Sequence, residues 1–336
     1  MKKFYILILL SVFNVISCKS IEKINSAQYE IATWRGFKSA AISYTFDDNC
    51  SNQLSVAIPI FNDFGIKTTM FVPSSWIKDW TGLQSAADNG HEIASHTVNH
   101  INLRNLTNDQ QLPEFQNSQK DINAQIKGHS CITIAYPYCV KGNDSLCSTF
   151  YIAARGCQGY IESKTPADFM NISSMVTGTM SKIQTTQNFN DKVEKADSIN
   201  GWCVFLIHGI DNDGSYSPTQ SIVLKSHLEY MKQHNEKFWI ATFGDVVRYV
   251  KERNDAIIQE ISIKNTSISL KVTVKLDNSV YNYPLTIRRI LPKTWKSATI
   301  VQNGKKLIHQ VSTKATSKFI TFDVVPNNGN ITISKQ

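Results

Sequence analysis

No stretch of this 336-residue sequence is apolar for long enough to cross a membrane as a helix. The longest candidate is the run Phe4–Phe13, whereas a span needs about 20 residues. Low-complexity tracts are missing as well, and the hydrophobic (42%) and charged (18%) fractions are those of a globular protein. None of the seven cysteines forms a Cys-x-x-Cys pair, which argues against a zinc ribbon. Acidic residues are scarce at one end: residues 255–336 hold twelve Lys/Arg against four Asp/Glu, so the net charge of +8 belongs to that region. On an exported protein such an excess suits an anionic glycan or surface and speaks against nucleic acid. A solvated basic face with no partner is the competing reading.

The amino terminus reads as an export signal over residues 1–17: Lys2-Lys3 followed by the apolar run Phe4–Phe13. The run ends in Val15-Ile16-Ser17-Cys18, which resembles a bacterial lipoprotein cleavage box. The expectation is cleavage before Cys18, acylation of that cysteine, and a cell-envelope lipoprotein held on a membrane, in the periplasm or at the cell surface. Each buried acyl methylene contributes about 0.8 kcal/mol. An ordinary secretory signal that contains a cysteine is the alternative. Six cysteines then remain, at 50, 131, 139, 147, 157 and 203. Cys139 and Cys147 are the nearest in sequence, but spacing leaves the pairing open.

Residues 18–35 read as a linker. From residue 36 to residue 254, short apolar runs alternate with amphipathic stretches. Strand-like runs are Ala40–Phe46, Thr68–Val72, His91–Ser95, Ile132–Tyr138, Cys203–His208 and Phe238–Thr242. Helix-like segments lie between them, near Leu54–Phe64, Leu83–Asn89, Asp109–Lys127, Ser145–Ala154, Asn188–Ile199, Thr219–His234 and Asp245–Arg253. This alternation predicts parallel strands with helical crossovers, an α/β fold. From residue 255 to residue 336 the helical period disappears. Alternating runs and the turn dipeptides Asn303-Gly304 and Asn328-Gly329 predict a small all-β sandwich.

Two stretches carry chemistry. Tyr44-Thr45-Phe46-Asp47-Asp48 ends an apolar run with adjacent carboxylates, which an extended chain points to opposite sides. Ser95-His96-Thr97-Val98-Asn99-His100 places two imidazoles at i and i+4, on one face if the segment turns helically. One carboxylate and two imidazoles make a three-ligand metal set with a position open for water. The other carboxylate is free to act as base on that water. Taken singly, an Asp-Asp pair is more often a turn or cap, and His-x-x-x-His a helix face. Asp47, Asp48, His96, Tyr138 and His208 each fall at or just past the end of a predicted strand, which in a closed α/β barrel is one rim.

Taken together, these residues resemble polysaccharide deacetylases of the NodB-like group, carbohydrate esterase family four, over residues 36–254. Thr45-Phe46-Asp47-Asp48 is similar to the family's first motif and His96-Thr97-Val98-Asn99-His100 to its second. Pro137-Tyr138 and Leu206-Ile207-His208 are similar to the third and the last. The resemblance implies an irregular (β/α) barrel. It implies a divalent metal on Asp48, His96 and His100, zinc above all, with Co2+, Ni2+ or Fe2+ as other occupants. It further implies Asp47 as general base, His208 as general acid, the Tyr138 backbone N–H as oxyanion donor, and Leu206 against the acetyl methyl. The substrate implied is an acetylated carbohydrate, with N-acetylhexosamine polymers expected first and O-acetylated, xylan-type polymers as the alternative. A non-catalytic glycan-binding module is a reading from another class.

The chain departs from the family pattern in places. Asn49 stands where Gly usually follows the carboxylates, and no Arg precedes Pro137. Arg155 is the nearest downstream candidate to steady Asp47, with a surface cation as the competing reading. No clear fourth motif is present, so Asp168, Asp197 and Asp211 are equal candidates to orient His208. His91, His129, His227, His234 and His309 read as structural or surface residues. Trp76, Trp80 and Tyr216 lie in predicted loops, where either sugar stacking or core packing would use them.

Overall fold

The computed structural model describes residues 28–336 apart from residue 315. The expected signal peptide, Cys18 and most of the expected linker lie outside the described residues. Nine strands come first: β1 (Tyr29–Ile31), β2 (Ala40–Asp47), β3 (Thr69–Val72), β4 (Glu92–Ser95), β5 (Thr133–Ala135), β6 (Ala153–Arg155), β7 (Met175–Val176), β8 (Trp202–Ile207) and β9 (Phe238–Ile240). Helices α1 (Ile58–Asp63), α2 (Trp80–Asp88), α3 (Asn108–Gln125), α4 (Asp144–Cys147), α5 (Thr186–Ile199), α6 (Ser221–Gln233) and α7 (Phe243–Asp255) are interspersed with them or follow.

Strands β6-β5-β4-β3-β2-β8-β7 form one sheet in that order, with β9 also paired to β2. Every pairing within it is parallel. The sheet curls, and a single parallel bridge from Arg155 of β6 to Ile172, just before β7, links its two ends. The parallel order is what the strand–helix alternation predicts, and the curled, irregular barrel is what the family resemblance implies. All eight residues of β2 are buried, as a strand covered on both faces requires. Ile42, Tyr44 and Phe46 pack outward against Phe61 of α1, Phe189 of α5 and Leu228 of α6. The opposite parity begins at Ala41, which joins Phe71, Trp202 and Phe243 in a second cluster. Alanines at 41, 94, 135 and 153 leave room there for these large rings. Burial of one such ring contributes roughly 1.5–3 kcal/mol. Asp47 shares the parity of Ala41, so its carboxylate is carried to the inner side at the end of the strand.

Several expectations need correction. The segment 145–154 is not one helix: α4 stops at Cys147, and Ala153–Arg155 is a strand. The Thr149–Ile152 run is aromatic and β-branched, and sheet pairing with β5 overrides the helical preference of the two alanines. The strand expected over Ile132–Tyr138 ends at Ala135, and Pro137–Cys139 makes a 3-10 turn instead. The expected linker is partly structured, because Tyr29–Ile31 pairs antiparallel with β12 (Leu285–Ile290). Of the two readings for His227, structural or surface, the structural one holds: it sits in the core, bonded to the Tyr44 hydroxyl at 2.7 Å and to Asn190 at 2.7 Å.

The remaining strands are β10 (Ile257–Ile263), β11 (Ser267–Thr273), β12, β13 (Ala298–Gln302), β14 (Lys305–Lys306), β15 (His309–Lys314), β16 (Ser317–Val324) and β17 (Ile331–Lys335). They form two antiparallel sheets, ordered β1-β12-β16-β15 and β10-β11-β17-β13-β14. Residues from both, among them Leu270, Ile287, Phe322 and Ile333, share one core, which makes a sandwich.

Candidate active site

Asp47 is the last residue of β2, and the chain then turns through two left-handed residues, Asp48 (φ 72°) and Asn49 (φ 52°). Asn tolerates this region better than most residues with a Cβ. Asn49 therefore supplies the conformation that a glycine would adopt there. The second stretch is not helical, so the i, i+4 condition for a shared face is not what brings its imidazoles together. After β4, Thr97 (φ 65°) and His100 (φ 52°) are left-handed, and the loop folds back on itself. The buried Glu114 of α3 pins it, accepting from the N–H groups of Val98 (3.0 Å) and Asn99 (2.9 Å) and from the Asn99 side chain (2.6 Å). The His96 and His100 rings still converge, with centroids 4.8 Å apart.

Nε2 of His96 lies 3.5 Å, and Nε2 of His100 3.3 Å, from Asp48 Oδ1. The three ligand atoms lie within 4.8 Å of one another. Neighbouring ligands of a tetrahedral ion with bonds of about 2.0–2.1 Å are roughly 3.3 Å apart, so the spacing suits a small divalent cation. The buried Asp48 Oδ1 has no hydrogen-bond donor among the described residues, as a ligand atom should. Burial, and then the adjacent Asp47 charge, push the Asp48 carboxyl up to about 6. Burial holds His96 down at about 3, in the neutral form that binds metals. Its Nδ1 is 2.8 Å from the Ala135 carbonyl, which leaves Nε2 as the lone-pair nitrogen.

Arg155 is completely buried, and its guanidinium bonds Asp47 Oδ2 directly. Burial alone would raise the Asp47 carboxyl, but Arg155, His96 and His208 outweigh it and hold it below the usual range. His208 follows β8, its Nε2 3.9 Å from Asp48 Oδ2. Burial lowers its basicity against the pull of Asp47 and Asp48. Its Nδ1 has no partner among the described residues. None of the three expected orienting acids reaches it: Asp168 accepts from Lys141, Asp197 pairs with Lys237, and Asp211 accepts from the Ser221 N–H.

These groups face one cavity of about 520 Å³, whose apolar wall includes Leu206, Val176 and the Cys139–Cys157 disulfide. Cys139 therefore pairs not with Cys147, its nearest neighbour in sequence, but with Cys157, which the β5–β6 pairing brings alongside. Tyr138, left-handed at φ 54° and 63% exposed, lies against His100 with ring centroids 4.7 Å apart. Exposed Trp76 borders His100 at 4.9 Å, and exposed Tyr216 borders His208 at 4.9 Å. Trp80 instead packs on the core beneath α2.

Sequence reasoning missed Gln53, Glu114 and the disulfide. The buried Gln53 amide donates to the carbonyls of Asp47 (2.6 Å) and His208 (2.9 Å), tying together the ends of β2 and β8. Glu114 left one trace in the sequence, an acid beside Phe115 on the buried side of α3.

The curled parallel sheet thus brings a His/Asp group that could hold a metal beside a buried carboxylate–guanidinium pair. A model of the family described as "Polysaccharide deacetylase" matches residues 35–149. YxkH of Bacillus subtilis (strain 168), whose name assigns it to the polysaccharide deacetylases, is 32% identical over 98 residues, covering 28% of this chain and 35% of that protein. A gellan lyase of a Bacillus species is 27% identical over 326 residues, covering 90% of this chain and 13% of that protein. This chain thus spans well under half the length of the curated relatives it matches. A solved structure from Mycobacterium smegmatis, titled as a polysaccharide deacetylase, shares the fold at a TM-score of 0.52 and 15% identity. That match covers 67% of this chain and 94% of that one. The family match is carried by residues 35–149, which run from β2 to α4 and hold the Asp47–Asp48 and His96–His100 stretches, and the fold match by the curled sheet.

Proposed function

We propose that this protein is a metal-dependent hydrolase that removes acetyl groups from a carbohydrate, with N-acetylhexosamine polymers as its first substrate class. One observation carries the reading: Asp47, held ionised by Arg155, and His208 face the same cavity as the Asp48–His96–His100 set. A divalent cation held by that set, zinc before cobalt, nickel or iron, would polarise the acetyl carbonyl and acidify water. Asp47 takes the proton from the attacking water, and Arg155 keeps that carboxylate in one orientation. The Tyr138 N–H donates to the developing oxyanion. His208 hands a proton to the leaving nitrogen or oxygen. Leu206 and Val176 offer the acetyl methyl an apolar seat. Trp76, Tyr138 and Tyr216 supply exposed rings on which sugar faces can stack.

The test is acetate release by residues 19–336, with and without zinc, from an N-acetylglucosamine oligomer and an acetylated xylan side by side. Metal-dependent release from the oligomer is the expected result, and release from xylan alone would transfer the assignment to ester hydrolysis. Asp47→Asn should abolish release while leaving zinc affinity intact. Zinc-loaded protein that binds both glycans and hydrolyses neither would replace the enzyme reading by a glycan-binding one.

We also propose export and attachment to a membrane through lipid on Cys18, supported by the Lys2-Lys3, Phe4–Phe13 and Val15–Cys18 pattern. The Cys139–Cys157 disulfide suits an oxidising compartment. Radiolabelled palmitate should enter the wild type and not Cys18→Ser; equal labelling of both would refute the anchor.

A further inference from the structure

A second concavity of about 750 Å³ lies away from the catalytic residues, between the segment after β1 and the sandwich. Its lining is basic: Arg35, Lys38, Lys305, Lys306 and His309 face it, with Asp323 as its carboxylate. Asp323 is already neutralised. Arg35 donates to its Oδ2 from Nε (3.0 Å) and Nη2 (2.8 Å), and Thr286 donates to its Oδ1 at 2.5 Å. Lys38 gives its ammonium to the Asn235 carbonyl at 2.6 Å, and among the described residues no carboxylate compensates its charge. Lys305 and Lys306 are exposed and make up the whole of β14, with no ion pair among the described residues. They are presented by a tight hairpin, Gln302 opposite Lys305 across left-handed Asn303 and Gly304. Gln302 in turn is locked to Val325, accepting from its N–H (3.3 Å) and donating to its carbonyl (2.7 Å). The lysines therefore stand on a braced support rather than on a free loop.

We propose that this groove binds an anionic stretch of polysaccharide, one that carries carboxylate groups along its chain. The inference rests on the carbohydrate reading of the active site. Three uncompensated cations along one concave wall match a polymer with charges repeated along its length. Amide and hydroxyl groups of Gln310, Asn328 and Thr321 on the same wall can serve sugar hydroxyls. The wall is concave, and apolar Leu307 and Phe322 between its cations can seat sugar faces, which fits an extended glycan chain, whereas a lipid surface calls for a projecting face.

The test uses residues 19–336 in affinity electrophoresis through gels containing polygalacturonate, or the same polymer with its carboxylates methyl-esterified. Wild-type protein should be retarded by the acidic polymer and not by the ester, and salt should abolish the retardation. Lys305→Glu/Lys306→Glu should weaken retardation by about tenfold or more. Lys271→Glu, an exposed lysine on β11 outside the groove, should leave it unchanged. Equal retardation of wild type and the double variant would overturn the proposal, as would equal retardation by the ester. Binding to anionic phospholipid vesicles that the double variant loses, with no retardation by polygalacturonate, would also overturn it in favour of a membrane. Acetate release is scored separately on the oligomer. Retardation without release would refute the catalytic reading alone, and release without retardation would refute this inference alone.

Discussion

The Asp47–Arg155 pair allows a quantitative test that does not depend on turnover. Both side chains are almost wholly removed from solvent, at 3% and 0% exposure, and Asp47 Oδ1 has no donor of its own among the described residues. Replacing Arg155 by Met keeps most of the volume and leaves a carboxylate inside the barrel, with His96 (3.6 Å) and His208 as the nearby potential cations. Breaking a buried pair from one side costs about 3–5 kcal/mol, because the surviving charge is uncompensated. At a urea slope of about 2–3 kcal/mol per molar, the unfolding midpoint should fall by roughly 1–2 M. Removing the charge as well, in Asp47→Asn/Arg155→Met, should recover much of that loss. The cycle should return a coupling of roughly 2–3 kcal/mol. The sign with pH follows from the depressed Asp47 carboxyl. The pair stabilises the fold above the ordinary carboxylate range, and that contribution is lost as pH falls through the lower folded value. The gap between wild type and Arg155→Met should therefore be widest near neutrality and narrow in acid. Additive losses, or a midpoint shift under about 0.3 M, would refute the claim that Arg155 exists to hold Asp47.

Glu114→Ala removes the acceptor of three donors in the His96–His100 loop. Zinc affinity, measured by chelator competition, should drop about 10–100-fold, and unchanged affinity would show that the loop holds itself. Glu252 of α7 is fully buried, both oxygens 3.1 Å from the Tyr283 N–H, with Arg248, Tyr281 and Tyr283 the charged or titratable groups around it. Burial raises it from its ordinary 4.5 to about 7 against the pull of that N–H and of Arg248. The folded state then binds the extra proton, so this group's contribution is present at low pH and is lost as pH rises between those values, by about 3 kcal/mol. Glu252→Gln should flatten stability over that window, and an unchanged slope in urea titrations would contradict the assignment. Cys139→Ser/Cys157→Ser opens a loop with a sequence separation of 18. It should cost roughly 3 kcal/mol, and an unchanged melting temperature would show that the loops hold without the link.

The fold was legible where hydrophobic period and turn chemistry agree. β2, β3, β4 and β8 are apolar runs with helical segments between them, and their parallel order follows from that alternation. β6 escaped notice because Ala153-Ala154 favours a helix when judged locally. Its extended form depends on β5 alongside, with Ile134 opposite Ala154, and a partner in space leaves no trace in local periodicity. β1 is hidden for the same reason. Its three residues are a strand because Ile287, Arg288 and Arg289, far along the chain, lie opposite them.

The same distinction runs through the site. Asp47, Asp48, His96 and His100 could be read from the sequence because each pair is local, so spacing alone implies that the groups meet. Even so, the contact is not reached by a helical turn: a folded-back loop held by Glu114 brings the His96 and His100 rings together. The role of Arg155 turns on distance across the barrel. Asp47 needs a cation on the inner wall, and any strand whose end reaches that wall can present one. The run before Pro137 lacks an arginine, and β6, one strand further round the sheet, supplies it from Arg155. The absence of a residue from its customary place in a motif is therefore weak evidence against the chemistry when the motif's groups meet in space rather than in sequence. His208 presents the opposite case. Three acids at plausible positions were available to orient it, and each is engaged elsewhere, because proximity in the chain's pattern says nothing about which neighbour claims a carboxylate first.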